Sequence, residues 1–306
     1  MLEKLMNLLS FAPRQKFGVY RFGDLLSSLF SGGISVKKIT AVIIAFFEMF
    51  GSALFDTAFT PLGEPLDLTG YELVFCDEFD GDSLNTDVWE FRRLGKDAGG
   101  YSSTSQVRVE GGNLIFTSEY RENGEYGPGW YAADIQIKEK YKQGYFEIKC
   151  ICNDFGDFWS AFWIQADHPY DHDISNGGIG GAELDIFEAM DANDKLMRNS
   201  VAQTVHCNGV DDDAENIDSC CVGSFKANDI FNTYNTYGLK WTEDEYIFYI
   251  NGVETGRSTW GKGVSQVGEH VCVSLCIPGE VKLPHDVSSQ FTVDYVKIWQ
   301  KPETQS

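Results

Sequence analysis

The run Glu183-Leu184-Asp185-Ile186-Phe187-Glu188 sets three carboxylates within six residues, interleaved with apolar side chains. Leu184, Ile186 and Phe187 favour a pleated strand. Successive strand side chains point to opposite faces, so Glu183 and Asp185 share one face and Glu188 falls on the other. A β-bulge between Asp185 and Glu188 would absorb one residue and turn Glu188 back. Like charges on one strand face repel each other, so such a row needs a reason. Two carboxylates flanking a scissile bond are the machinery of glycoside hydrolysis. After bulge correction the two Glu stand about four strand positions apart, roughly 13 Å between Cα atoms. A retaining mechanism needs carboxyl groups about 5–5.5 Å apart, so this chemistry demands a curved, concave strand. The competing reading is a solvent-facing acidic strand in an acidic protein.

Other residues can serve the same chemistry. The segment Phe158 to Gln165 alternates, with Trp159, Ala161, Trp163 and Gln165 on one face and Phe158, Phe162 and Ile164 on the other. Phe162 and Ile164 are expected in the core. Trp159 and Trp163 offer apolar platforms to sugar CH faces on a groove floor; core packing is the even alternative for either ring. Trp130, Tyr131 and Tyr101 lie in Gly-rich stretches and are expected on the groove walls. His206 sits in the strand-like run Val201–Asn208. If that run pairs with the acidic strand, His206 reaches Asp185 or the sugar; the alternative is a structural histidine.

The elements that must position these groups are short strands. Gly111-Gly112 separates Val107–Glu110 from Asn113–Ser118 and reads as a tight hairpin. Asn251-Gly252 separates Tyr246–Ile250 from Val253–Thr255, a stronger signal because both turn positions favour positive φ. In Tyr145–Cys152, Phe146, Ile148, Cys150 and Cys152 share a face, and Phe291–Trp299 makes a final strand. No helical period of any length follows residue 65. Many short strands at close spacing predict an all-β antiparallel sandwich.

The chain has 306 residues, 14% of them aromatic, and a net charge of −22. That charge excludes nucleic acid as a partner, because phosphate recognition needs Lys and Arg. It also favours a neutral over a sulfated polysaccharide. Residues 1–38 carry six basic and two acidic side chains, a net of +4, so the remainder carries −26. Lys37-Lys38 precede the apolar run Ile39 to Phe47 and the small residues Gly51, Ser52 and Ala53. This order resembles a signal peptide, although it starts late and Glu48 interrupts it. Residues 37–55 are read as an export signal or membrane association, with a helical appendage as the alternative. The run is too short for a full span. The division expected is an N-terminal extension over 1–65 and a catalytic domain over 66–302. The chain is expected to be monomeric and secreted or on the cell surface, with a cytoplasmic location left open. The eight cysteines form no C-x-x-C pair, which argues against zinc. Buried free thiols are the expectation, and a disulfide or two remains open.

The acidic run resembles the E-[IL]-D-x-x-E signature of glycoside hydrolase family 16, in its bulged, laminarinase-like branch. Leu73 to Gly81 resembles that family's first strand and loop. Trp159-Ser160-Ala161-Phe162-Trp163 resembles its W-P-A-F-W stretch, with Ser where Pro is usual. Gly144-Tyr145-Phe146-Glu147, Tyr237 to Thr242 and Val293-Asp294-Tyr295-Val296 resemble further strands, in order, over roughly residues 70–300. The resemblance implies a concanavalin-like jelly roll of two curved antiparallel sheets whose concave face forms an open groove. It implies endo-acting, retaining hydrolysis of a β-1,3- or mixed-linkage β-glucan with no cofactor needed for catalysis. By position Glu183 would be the nucleophile, Glu188 the general acid/base, and Asp185 the carboxyl between them. It also implies a structural calcium, with Asp294 the candidate ligand.

Two departures bear on the substrate. Cys207 follows His206 where an aromatic is common, and a Gly/Asp-rich stretch, His168–Gly181, precedes the acidic strand. The alternatives kept open are a non-catalytic carbohydrate-binding jelly roll, a transglycosylase, and an agar-type galactan hydrolase. Fold alone does not separate a binding module from an enzyme; the complete acid triad does, because a binding module has no need of it.

Overall fold

The computed structural model describes residues 58–166, 181–190, 197–207, 218–259 and 264–302. The extension expected over 1–65, with its membrane or export segment 37–55, lies almost wholly outside the described residues. So do most of the stretch 168–181 and the acidic run Asp211-Asp213.

The described chain is built from strands. The first six are β1 (Glu72–Asp77), β2 (Trp89–Phe91), β3 (Gly95–Asp97), β4 (Gly100–Ser102), β5 (Val107–Val109) and β6 (Leu114–Arg121). Next come β7 (Gly129–Tyr141), β8 (Gly144–Ile151), β9 (Trp159–Gln165), β10 (Ala182–Ala189), β11 (Ser200–Cys207) and β12 (Asp218–Lys226). The last five are β13 (Asn235–Trp241), β14 (Tyr246–Ile250), β15 (Val253–Ser258), β16 (Glu269–Cys276) and β17 (Ser288–Gln300). Among the described residues the only helical element is a 3-10 turn at Thr104–Gln106. Both expected hairpins form. Gly111 and Gly112 have φ of 60° and 73°, and Asn251 and Gly252 have φ of 50° and 72°, as tight turns between twisted strands require.

One antiparallel sheet runs β2–β7–β16–β9–β10–β11–β12. The other runs β15–β14–β13–β8–β17, with β6 and β1 sharing the far side of β17. β7 belongs to both. Its first residues pair with β6 and, in parallel, with β4, and its later residues pair with β16. The result is the jelly-roll sandwich of two antiparallel sheets, and β9, β10 and β11 lie inside the first sheet.

The core fills the space between the sheets because alternate residues of each strand face inward. Phe146, Ile148, Cys150 and Cys152 form one buried row, and Phe162 and Ile164 another, as their periodicity predicts. Phe187 of β10 meets Tyr237 at 4.3 Å and Phe291 at 6.1 Å between ring centroids, both on the opposite sheet. Burying such a ring stabilises by roughly 1.5–3 kcal/mol and ties the acidic strand to a rigid support. Cys76, Cys150, Cys152, Cys220, Cys221, Cys272 and Cys276 are free thiols, and three of them are buried: Cys150, Cys152 and Cys272.

Residues ahead of 66 also pair with the sheets. Phe59 exchanges backbone hydrogen bonds with Ser224 and Lys226 of β12, and Gly63 and Glu64 pair with Glu254 of β15. Leu66 and Leu68, with Trp299, then pack against Tyr145, Ile247 and Tyr249 in a small cluster outside the main core. No helix among the described residues is long and apolar enough to cross a membrane.

Candidate active site

β10 pairs with β9 on one side and β11 on the other, and its register slips where the sequence demanded a bulge. Against β9 the slip falls between Asp185 and Phe187; against β11 it falls between Asp185 and Glu188. Residues directly opposite in a sheet share a face. Glu183 lies opposite Gln165, Asp185 opposite Trp163 and Glu188 opposite Ala161. Those three partners are alternate residues of β9, so all three acids stand on one face. Ile186 and Phe187 both turn into the core, where each is fully buried. The bulge exchanges strict alternation for a run that buries two consecutive apolar residues and keeps every acid outside.

β11 supplies the next group. His206 lies opposite Glu183, and its Nε2 is 3.0 Å from Asp185 Oδ2. Glu183, Asp185 and His206 each bring one donor atom to within 4.8 Å of the others. Three carboxyls crowded on a partly dry surface resist ionisation. Burial, then the Asp185 carboxyl, pushes Glu183 up to about 7, against the lowering pull of His206, Arg92 and a hydrogen bond from Gln165. Burial raises Asp185 to about 8. Glu188 goes highest, to about 9, through burial and then the charges of Asp185 and Glu183, while His206 and Trp159 oppose the rise. The Trp159 indole N–H lies near enough to favour a charged Glu188 without meeting hydrogen-bond geometry. Burial and mutual repulsion thus hold all three above the usual carboxylate range, and they titrate as one coupled group.

Trp159 and Trp163 lie where the alternation put them. With Ala161 and Cys272 they form a small apolar cluster apart from the main core, on the acid-bearing face. Trp159 is half-buried. Trp163 is 9% exposed, donates from Nε1 to Ser274 Oγ at 3.1 Å, and carries the Arg92 guanidinium 4.6 Å above its ring.

Trp130 and Tyr131, expected on the groove walls, are buried instead. Trp130 is 6% exposed and packs on Phe158 and Tyr120 at 5.3 and 5.7 Å. Tyr131 is wholly buried; its hydroxyl donates to Gly127 O at 2.7 Å and accepts from the Tyr126 N–H at 2.8 Å. Both residues lie where β7 joins the two sheets, so the chain is covered from both sides. Tyr101 stacks on Tyr131 at 5.1 Å and remains partly exposed. Asp294 does not fit a calcium site: its Oδ2 is 2.7 Å from Lys149 Nζ. Nor does it join any cluster of three carboxylate, His or Cys side chains close enough to hold a cation among the described residues.

Four residues at or beneath the site had no place in the sequence reading as site residues: Arg92, Gln165, Asp134 and Glu269. Gln165 shares the face of Trp159 and Trp163, so its position was legible and its task was not. Arg92 arrives just after β2, far upstream, and no local pattern links it to Glu183. Asp134 and Glu269 are fully buried, and burial raises them to about 6 and about 8.

Residues 95–296 match the family described as Glycosyl hydrolases family 16. The chain belongs to this family. Family 16 hydrolases need no cofactor for catalysis. Among family relatives, the endo-1,3-1,4-beta-glycanase ExsH of Rhizobium meliloti (strain 1021) is 30% identical over 180 residues, covering 57% of this chain and 34% of ExsH. The glucan endo-1,3-beta-glucosidase A1 of Niallia circulans is 24% identical over 335 residues, covering 95% of this chain and 47% of that protein. The chain thus spans about a third to a half of the length of these curated relatives. The crystal structure of SCLam, a non-specific endo-beta-1,3(4)-glucanase from family GH16, superposes with a TM-score of 0.63 at 21% identity, covering 80% of this chain and 97% of SCLam. That likeness establishes the fold.

Proposed function

We propose that this family 16 member is an endo-acting, retaining hydrolase of β-1,3- or mixed-linkage β-glucan. The observation that carries the reading is the bulged strand, which holds Glu183, Asp185 and Glu188 on one face, with the Gln165 amide against Glu183 and His206 against Asp185. Glu183 attacks the anomeric carbon while Glu188 protonates the departing glycosidic oxygen. Glu188, now a carboxylate, then takes a proton from water as that water displaces Glu183. Asp185, held by His206, sits between them and shares a proton with whichever neighbour is charged. Trp159 stacks on a sugar ring, and Trp163 with its Arg92 cover forms the floor beside it. The named activities of the curated relatives and the strongly negative field both favour a neutral glucan. Lys149 serves as the cation at Asp294 in place of calcium. The unit acts as a monomer, and residues 37–55 carry it to a membrane or out of the cell.

The test is reducing-sugar release by the full chain on laminarin, mixed-linkage β-glucan, agarose and κ-carrageenan. Glu183→Gln and Glu188→Gln run alongside, with circular dichroism to report folding. Release from one of the two glucans as intermediate oligosaccharides is expected, with the β-anomer forming first. Glu183→Gln should lower kcat by at least ~10³-fold and Glu188→Gln by ~10²–10⁴-fold, both folded. Unchanged turnover in Glu183→Gln would remove that residue from the mechanism. A folded wild type that binds laminarin in affinity electrophoresis and cleaves nothing would favour a binding module.

A further inference from the structure

We propose that Arg92 is a positioning residue, which orients the Gln165 amide so that it can only donate to Glu183 and thereby holds that carboxylate in its attacking form. The proposal rests on the reading of Glu183 as nucleophile and adds a residue to it.

The argument starts from donor inventory. A guanidinium has five N–H donors and no acceptor. Arg92 Nη2 donates to Gln165 Oε1. An amide oxygen held there cannot turn toward Glu183, so the other end of the same amide, Nε2, faces Glu183 Oε2 and donates to it. An NH2 group has nothing to accept with, so it favours a charged carboxylate over a protonated one. With the amide flipped, Oε1 would face Glu183 and stabilise the protonated form, which cannot attack. Arg92 therefore selects between two amide orientations of opposite effect. Opposite Glu188 on β9 stands Ala161, which offers no amide, and the donor that acts on Glu188 is the Trp159 indole N–H.

Arg92 is itself held in a plane. Its Nη1 donates to Gln136 Oε1 at 3.2 Å and to Cys272 Sγ at 3.4 Å. The guanidinium lies over the Trp163 ring, and Nε is 3.7 Å from the buried Asp134 carboxylate. A lysine has the charge but neither the fork nor the flat face. The other titratable groups that act on Glu183, or on which it acts, are Asp185 and Glu188 of its own strand, His206 of β11, and Glu269 and Cys272 of β16. Of these only His206 shares Arg92's sign.

The experiment is the pH profile of kcat/KM on laminarin for the wild type, Arg92→Met, Arg92→Lys and Gln165→Leu. Arg92→Met keeps the apolar stem over Trp163 and removes the donors. The acid limb should move up by about one pH unit in Arg92→Met and in Gln165→Leu, a roughly tenfold loss below the limb, with KM changed less than about twofold. Arg92→Lys should lie between. A purely structural role would lower the melting temperature and the whole profile and leave the limb in place; a folded Arg92→Met with the wild-type limb overturns the proposal. So does a limb that moves in Arg92→Met and not in Gln165→Leu, because charge alone would then carry the effect. If Arg92→Met does not fold, Gln165→Leu decides by the same criterion. Trapping with 2,4-dinitrophenyl 2-deoxy-2-fluoro-β-laminaribioside and peptide mass mapping tests the underlying reading separately. Label on a residue other than Glu183 overturns the nucleophile assignment. Label on Glu183 with an unmoved limb overturns only the role of Arg92.

Discussion

Glu183 and Glu188 are chemically identical side chains on one strand, and their neighbours make them different. Glu183 faces an amide donor, a guanidinium, the His206 imidazole and the Asp185 carboxyl; Glu188 faces Ala161, two other carboxyls, the same imidazole and the Trp159 indole. The consequence is a pH dependence with a definite sign. The nucleophile must be ionised, so kcat/KM rises as pH passes through the Glu183 value of about 7. The acid must be protonated, so activity falls again as pH passes through the Glu188 value of about 9. Asp185, at about 8, lies between them, so both limbs belong to a coupled group. Initial rates on laminarin from pH 5 to 11 should give a bell with its maximum between about 7 and 9, and Glu188→Gln should lose the alkaline limb. A maximum near pH 5 would show that burial does not set the order of these acids.

At the scale of the element, β10 is anchored where it begins. Glu269 of β16 accepts the Ala182 N–H at 2.8 Å through Oε1, and Ser265 donates to the same oxygen. Its Oε2 is buried without a hydrogen bond. Burial, only partly offset by those two donors, raises Glu269 to about 8. A carboxyl whose folded value lies above its unfolded value of about 4.3 binds the extra proton in the folded state. Its contribution is therefore present at low pH and lost as pH rises from about 4 through 8. Glu269→Gln keeps the accepting oxygen and cannot ionise. Differential scanning fluorimetry at pH 6 and pH 9 should show the wild-type melting temperature falling by several degrees more than that of Glu269→Gln. Equal falls would assign the alkaline loss to Asp185 and Glu188 instead.

At the scale of the molecule, the unit is two sheets with a strap. The segment from residue 58 to Leu68 is bonded to β12 and β15 and packs on the cluster of Tyr145, Ile247 and Tyr249. Residues 58–65 contribute four backbone hydrogen bonds to those strands. At roughly 0.5–1.5 kcal/mol each, their removal should cost about 2–6 kcal/mol. A chain starting at residue 66 should therefore melt on the order of 10 °C below one starting at residue 58. Equal melting temperatures would return the boundary to 65.

Much of this was legible in the residues. The E-L-D-I-F-E run needed a bulge to keep its acids together, and β10 has one in the expected interval. Alternation in β9 put Trp159 and Trp163 on the acid-bearing face and Phe162 in the core. The Gly111-Gly112 and Asn251-Gly252 turns set two hairpins, because positive φ is a local property. Period and turn chemistry specify which way a side chain points; they do not specify what covers it. Trp130 and Tyr131 look like groove residues until β7 is seen to join both sheets and enclose them. The division of labour between Glu183 and Glu188 lies in tertiary structure too. As proposed, it depends on Gln165 and on Arg92, a residue 91 positions upstream of Glu183 that only the packing of β2 beside β7, β16 and β9 brings to the site.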